Sequence, residues 1–319
     1  MTRYARQIVL AQVGEGGQAR LGAARVLIVG AGGLGAPVIQ YLAGAGVGRL
    51  TIVDGDRVEE TNLHRQPLYR TDQAGAPKAQ AAAAAAHALN PDVATEAVEG
   101  WLDAANAPAL VAESDVVLDC ADTFAASLTL SDECRAQARP LISASVLGLS
   151  GYVGGFCAGA PSLRAVFPDL PDRAASCATA GVLGPVVGVI GALQAQMALS
   201  LLLGLEPGPL GRLVTFDAAT WRFGGFSFQD APEPEARAAP VFTALRALGP
   251  DDLVVDLRTE AATPVTPGAL RMALADLGSF APPDGRRVVF ACRTGLRAHH
   301  AGVALGRRWA GPIALLATP

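Results

Sequence analysis

Short apolar runs rich in β-branched residues recur through the first half of the chain, at Val26–Val29, Leu50–Val53, Val116–Leu118 and Leu141–Val146. Each is too short for a helix, and the first three are followed at once by glycine or an acid, the pattern of strands buried on both faces. Val93–Val98 and Tyr152–Cys157 read as further strands. Helical stretches lie between them. The segment from Met1 to Ala24 reads as helix broken by glycine, and Ala79–Leu89 is almost all alanine, a strong helix former. Strands alternating with helices predict an α/β fold, a doubly wound and mainly parallel sheet of Rossmann-like type. The apolar run Gly181–Leu205 is long enough to cross a bilayer, yet it carries Gln194, Gln196 and Pro185 and lacks aromatic or basic flanks. The pattern predicts a buried crossover helix there and no membrane span.

The chemistry gathers in the stretch from Val26 to Gln66. The first strand runs straight into Gly30-Ala31-Gly32-Gly33-Leu34-Gly35, then a helix, then a second strand ending in Asp54, nineteen residues after Gly35. That is the order of a dinucleotide-binding unit. Gly30 permits the tight turn, Gly32 and Gly33 let the backbone approach a phosphate, and Gly35 lets helix pack on strand. Asp54 stands where a carboxylate accepts from a ribose hydroxyl. An NAD(H)-binding oxidoreductase fits this much. The residues beyond Asp54 fit it poorly: Asn62-Leu63-His64-Arg65-Gln66, a lone Lys78, and a later apolar strand running to Asp122. An arginine, a lysine and a second strand-end acid suit a triphosphate with magnesium better than a nicotinamide.

Taken in order, these motifs resemble the ThiF/MoeB/HesA family, bacterial relatives of ubiquitin-activating enzymes. The motifs are RYxRQ at Arg3–Gln7, GAGGLG at Gly30–Gly35, DxD at Asp54–Asp56, NLxRQ at Asn62–Gln66, Lys78, LDCxD at Leu118–Asp122 and SCxxAGVLGP from Ser176. They run from Arg3 to about Phe228, about seven-tenths of the chain. The resemblance implies ATP and Mg2+ as the nucleotide and metal, and adenylation of the C-terminal glycine of a small ubiquitin-like sulfur-carrier protein ending in Gly-Gly. Sulfur transfer then makes a carrier thiocarboxylate for molybdopterin, thiamine or related sulfur-containing cofactor biosynthesis. It implies that Asp54 and Asp56 serve the nucleotide, that Asn62, Arg65, Gln66 and Lys78 serve its phosphates, and that Asp122 positions magnesium with Thr123 beside it. It also implies a homodimer in which Arg6 reaches into the partner's nucleotide site. Cys177, ahead of the long apolar helix, matches a cysteine that in relatives attacks the activated carrier or joins it covalently. A helix N-terminus lowers a thiol pKa, while a small buried cysteine is the plain alternative.

Two departures stand out. Where the family shows D-N-F-x-x-R, this chain has Asp122-Thr123-Phe124-Ala125-Ala126-Ser127, which replaces an amide with a hydroxyl and removes an arginine. This raises the alternative of a nucleotide-binding scaffold that has lost adenylation. Where the family carries zinc-binding C-x-x-C pairs, the chain has Ser162–Pro168 and Ala231–Pro240 with no thiolate, so no zinc is expected, and either packing takes over its role or the region is looser.

After Phe228 the composition changes. Asp230-Ala231-Pro232-Glu233-Pro234-Glu235 reads as an acidic, proline-containing linker over 230–240, dividing a nucleotide-binding domain at 1–229 from a short domain at 241–319. There Asp252–Leu257 and Arg287–Ala291 read as strands, the second leading into Cys292-Arg293-Thr294-Gly295-Leu296-Arg297. A cysteine on a strand-to-helix loop with two arginines and a glycine is an anion cradle. With Asp256-Leu257-Arg258 and Pro267-Gly268-Ala269 it resembles rhodanese-like sulfurtransferase domains, which implies that Cys292 carries sulfane sulfur supplied by a cysteine desulfurase or another donor. A cysteine phosphatase loop needs five residues between Cys and Arg, and this one has four. The domain is short for a rhodanese, and a degenerate version is the alternative.

Composition adds bounds. A net charge of −4 over 319 residues gives no basic excess for nucleic acid. Five cysteines, odd in number and scattered, fit reduced thiols, and MTRYARQIVL lacks the layout of a signal peptide, so a cytoplasmic location is expected.

Overall fold

The computed structural model describes residues 3–171, 181–235, 240–283 and 285–318. Eight strands form the larger sheet: β1 (Arg25–Val29), β2 (Arg49–Asp54), β3 (Ala94–Glu99), β4 (Val116–Asp119), β5 (Leu141–Leu147), β6 (Ser150–Phe156), β7 (Arg212–Asp217) and β8 (Arg222–Ser227). Their order is β3-β2-β1-β4-β5-β6-β7-β8. From β3 to β5 all neighbours are parallel, and β6, β7 and β8 extend the sheet antiparallel. The expected α/β, mainly parallel sheet is what the chain forms. Strand β1 shows why a continuous apolar run marks it. Val26 and Ile28 belong to the core on one face, and Leu27 and Val29 to the core on the other.

Helices α3 (Gly35–Ala45) and α4 (Lys78–Leu89) cover the first face, together with the long helix α8 (Gly184–Leu203). The second face is covered by α5 (Ala107–Ala112), α6 (Phe124–Ala136) and α7 (Leu163–Val166). The chain enters through α1 (Ala5–Ile8) and α2 (Gly14–Ala23). Helix α8 is the apolar run, and among the described residues it is the one helix long and apolar enough to cross a membrane, at 20 residues and a mean hydropathy of 1.9. Here it is a core helix. Pro185 lies in its first turn, where a missing N–H costs nothing, and Gly204 ends it in the left-handed conformation. Gln194 is fully buried and donates from Nε2 to the carbonyls of Asp119 (2.8 Å) and Ile142 (3.0 Å).

Beyond residue 240 a second, five-stranded sheet is parallel throughout. It contains β9 (Val241–Phe242), β10 (Leu253–Asp256), β11 (Leu270–Arg271), β12 (Val288–Cys292) and β13 (Ile313–Ala317), in the order β11-β10-β12-β13-β9. Helix α9 (Leu296–Gly306) packs on it. Its core is continuous with the larger unit, because Ala125 and Leu128 of α6 belong to the same cluster as Phe242, Val255, Phe290 and Leu315.

The acidic stretch read as a linker is pinned at Glu233. Glu233 accepts from the Ser162 hydroxyl (2.6 Å) and the Ser162 N–H (2.7 Å), and lies 3.6 Å from Arg135 Nε. Two residues on, the buried Arg164 forms a two-pronged pair with Asp132 of α6 (2.6 and 2.8 Å). These are the segments where the sequence lacks both C-x-x-C pairs. Hydrogen bonds and ion pairs tie the two segments together there.

Candidate active site

The strand order places β1 between β2, reached by one crossover, and β4, reached by the chain's return to the other side. Ligands of open α/β sheets bind beyond the carboxyl ends of strands at such a reversal. A cavity of about 830 Å³ opens there. It is lined by Gly30, Gly32, Gly33, Asp54, Asp56, Asn62, Arg65, Gln66, Lys78, Asp122 and Thr123, so eleven of the residues singled out from sequence meet in one place.

Local chemistry fixes the glycine loop. Gly30 has φ +97°, and a Cβ there would stand 2.6 Å from the Cys120 carbonyl oxygen. A Cβ on Gly35 would stand 2.1 Å from the Gly30 carbonyl oxygen, so helix α3 packs on its own loop only through glycine. A Cβ on Gly32 would meet only Gln66 Nε2, at 3.5 Å, so the cavity side of this residue stays uncrowded for a phosphate. Gly33 differs from expectation: its virtual Cβ would meet Val187 of α8 at 2.8 Å, so it serves helix packing. Ala31 is held from both sides, its N–H donating to Asp54 Oδ2 (2.7 Å) and its carbonyl accepting from the Tyr69 hydroxyl (2.6 Å).

Asp54 also accepts from the Asp56 N–H at Oδ1 (2.8 Å). Burial pushes its carboxyl above the usual range, against those two hydrogen bonds and the nearby Lys78. Lys78, the first residue of α4, is buried and donates from Nζ to Asp56 (2.8 Å). Arg65 donates to Asn62 Oδ1 (2.7 Å) and lies 2.9 Å from His64 Nε2, while Asn62 donates to Glu59 (3.1 Å). Gln66 is buried, and its Oε1 has no partner among the described residues. An orphaned acceptor on the cavity wall fits a ligand that brings a donor.

Asp122 is a correction to the strand-end assignment. Strand β4 ends at Asp119, and Asp122 sits three residues on, exposed on the loop before α6. The residue at the strand end is Asp119, which is buried and accepts from the Ser143 hydroxyl (2.7 Å) and the Ala121 N–H (3.2 Å). Burial raises its carboxyl to about 6. Thr123 caps α6, its hydroxyl accepting from the Ala126 N–H (3.4 Å). Asp119, Ser143 and Tyr69 escaped the sequence reading, although Asp119 stands inside the quoted LDCxD.

Three expected residues lie elsewhere. Arg6 is exposed on α1 and does not line this chain's cavity. Cys177 lies outside the described residues. Cys292 is the last residue of β12 and is only 1% exposed, its sulfur accepting from the Ala298 N–H (3.4 Å). Of the two arginines expected to cradle it, Arg297 is committed to Glu260 and to the Leu257 carbonyl (2.9 Å), and Arg293 lines the nucleotide-side cavity.

The ThiF family profile matches residues 4–238. A SAMP-activating enzyme E1 of Haloferax volcanii is 43% identical over 235 residues, covering 73% of this chain and 87% of that protein. The molybdopterin-synthase adenylyltransferase of Escherichia coli is 42% identical over 225 residues, covering 70% of this chain and 90% of that protein. The adenylyltransferase and sulfurtransferase MOCS3 of Bos taurus is 48% identical over 219 residues, covering 68% of this chain and 48% of that protein, so the chain spans about half the length of that relative. A crystal structure of E. coli MccB with ATP shares the fold, with a TM-score of 0.64 at 22% identity over 72% of this chain and 73% of that one. With its glycine loop, its paired acids and its basic residues around one cavity, this chain belongs to the ThiF family.

Proposed function

We propose that the chain is an ATP-dependent adenylyltransferase acting on the C-terminal glycine of a small ubiquitin-like sulfur carrier. The observation that carries this is the convergence of Gly32, Asp54, Asn62, Arg65, Lys78 and Asp122 on one cavity at the sheet's reversal. Relatives named as adenylyltransferases of molybdopterin synthase and of a sulfur carrier support the same reading. ATP lies along the glycine loop, whose N–H groups and helix end favour phosphate. Asp54 keeps a free lone pair on each oxygen for ribose hydroxyls. Arg65 and Lys78 meet phosphate oxygens, Lys78 turning from Asp56. The carrier carboxylate attacks the α-phosphorus, the bond to the bridging oxygen breaks, and pyrophosphate leaves with that electron pair. A carboxylate is already a nucleophile, so no general base is required, and catalysis is positioning and charge stabilisation. Asp122 is the carboxylate that would hold magnesium, which would neutralise phosphate charge.

The rest of the proposal follows from the resemblance. Arg6 serves the partner's site in a homodimer, a role supported by the exposed apolar neighbours Val9 and Leu10. A persulfide on Cys292, in a rhodanese-like unit, attacks the acyl-adenylate carbonyl and AMP leaves. Cys177 then resolves the acyl disulfide, forming a disulfide with Cys292 as the carrier thiocarboxylate departs to feed synthesis of molybdopterin or another sulfur-containing cofactor. The parallel sheet and the cysteine at the end of β12 support this.

ATP–pyrophosphate exchange with a purified carrier ending in Gly-Gly tests the adenylation step. Carrier-dependent exchange is expected, reduced about 10²–10³-fold in Lys78→Ala or Asp122→Ala, the loss typical of a removed electrostatic group. ATP binding without exchange on any such carrier would replace the proposal with a nucleotide-binding scaffold.

A further inference from the structure

The five-stranded unit supplies part of the nucleotide-side cavity wall. Arg293, Thr243, Leu245 and Thr318 line the same space as Asp54, Lys78 and Asp122. Their placement is fixed by docking onto α6. The Ala125 N–H in the first turn of α6 donates to the Thr294 carbonyl (3.2 Å), and a Cβ on Gly295 would stand 2.9 Å from the Ala125 Cβ and 2.7 Å from Phe242. The backbone immediately after Arg293 is therefore held against the helix that begins two residues after Asp122.

Three cations face this cavity, and their situations differ. Lys78 is paired with Asp56, and Arg65 is held by Asn62 and His64. Arg293 has no hydrogen bond or ion pair among the described residues and is exposed to the cavity. A guanidinium pairs with an oxyanion, carboxylate or phosphate, which it can grip with two N–H groups at once. The phosphates already have the glycine loop, Lys78 and Arg65 on the side of β1 and β2. On the side of the second sheet, the same cavity is walled by Leu245, Leu316 and Ala317, apolar side chains that suit an extended, uncharged peptide stem ending in a charge.

We propose that Arg293 binds an oxyanion in the shared cavity, namely the terminal carboxylate of the carrier tail rather than a nucleotide phosphate. The five-stranded unit then recognises the substrate in cis before any sulfur moves. This deepens the adenylation reading and rests on it for the identity of the tail, while the site itself is testable without turnover.

The test uses the full chain and a fluorescent peptide with the carrier's last residues, ending in Gly-Gly either as the free acid or as the amide. Anisotropy should show the wild type preferring the acid by about 10-fold or more, the scale of a hydrogen-bonded charge pair. In Arg293→Ala the preference should shrink to within about 2-fold by the same reasoning, and Arg293→Lys should restore part of it. A fluorescent ATP analogue should bind the three proteins alike. In exchange assays, Arg293→Ala should raise KM for the carrier more than it lowers kcat. Equal acid preference in wild type and Arg293→Ala, or no preference in wild type, would overturn the assignment. Loss of nucleotide affinity with the acid preference intact would assign Arg293 to a phosphate and overturn it equally. Absence of exchange in the wild type would remove the adenylation reading alone, because the peptide measurement stands apart from catalysis.

Discussion

Asp119 shows what one residue can do without touching a ligand. It holds the loop that carries Asp122 through the Ala121 N–H, and it is anchored by Ser143. Burial lifts its carboxyl to about 6, whereas an unfolded aspartate titrates near 4. Between these values the native state binds the extra proton. The stability from this group is therefore present at low pH and lost as pH rises through about 6, on the order of 3 kcal/mol across the window. Asp119→Asn removes that dependence. Urea melts at pH 5 and pH 7.5 should show wild type gaining on Asp119→Asn as pH falls. His299, which burial holds down at about 4, pulls the other way but does so in both proteins. A gap between the two that stays constant with pH would refute the assignment. At this scale the sequence was legible wherever a residue's neighbours in the chain defined its role. The glycine loop, Asp54 and Lys78 are of that kind. Asp119 and Ser143, 24 positions apart, depend on two strands pairing side by side, and no local spacing reports that.

Elements were read more fully than their ends. Each strand of the larger sheet that was expected is present; β1, β2, β4 and β5 were legible because buried parallel strands are nearly continuous apolar runs. The misjudged end of β4 came from treating Leu118–Asp122 as one run, when the Cys120 N–H is the last to bond back to Val29 and the chain then turns. The tie between Ser162 and Glu233 was invisible as well, since 71 residues separate the partners. It yields a specific expectation. Glu233→Ala removes two short hydrogen bonds and leaves the Ser162 hydroxyl, in a residue only 2% exposed, without its acceptor. The loss should be about 1–3 kcal/mol in denaturant melts. Ser162→Ala combined with Glu233→Ala should cost less than the sum of the single changes, because the two share one interaction. Strict additivity would show that the two segments are held independently.

At the scale of the whole molecule, the sequence suggested two bodies joined by a tether, and the structure shows a shared core. Ala125 and Leu128 pack among residues of the five-stranded unit, so that unit sits against α6 with Cys292 enclosed. Composition around residues 230–240 pointed to a linker, but only tertiary packing decides whether a linker is free. Sulfur delivery through Cys292 then requires the unit to open. Peptide mass spectrometry after brief treatment with an alkylating reagent should find Cys292 nearly unmodified in the native protein. Ala125→Glu places a charge in that interface and should raise its labelling about 10-fold or more, in keeping with the cost of burying an unpaired charge. Equal labelling in both proteins would mean that the thiol is reached by another path.

The long helix α8 carries a last consequence, for how the chain is made. It is the most apolar helix described, and the elements it packs against, α2, α3, β4, β5 and β6, all precede it in the chain. During synthesis, which proceeds at about 5–20 residues per second, those elements leave the ribosome first and can assemble a trough before the greasy segment emerges. The amide of Gln194 then finds the Asp119 and Ile142 carbonyls already in place. A circular permutant that delivers α8 first would present the same contacts to a nascent chain with nothing yet to receive them, and would be the version most exposed to aggregation or to capture by membrane-insertion machinery.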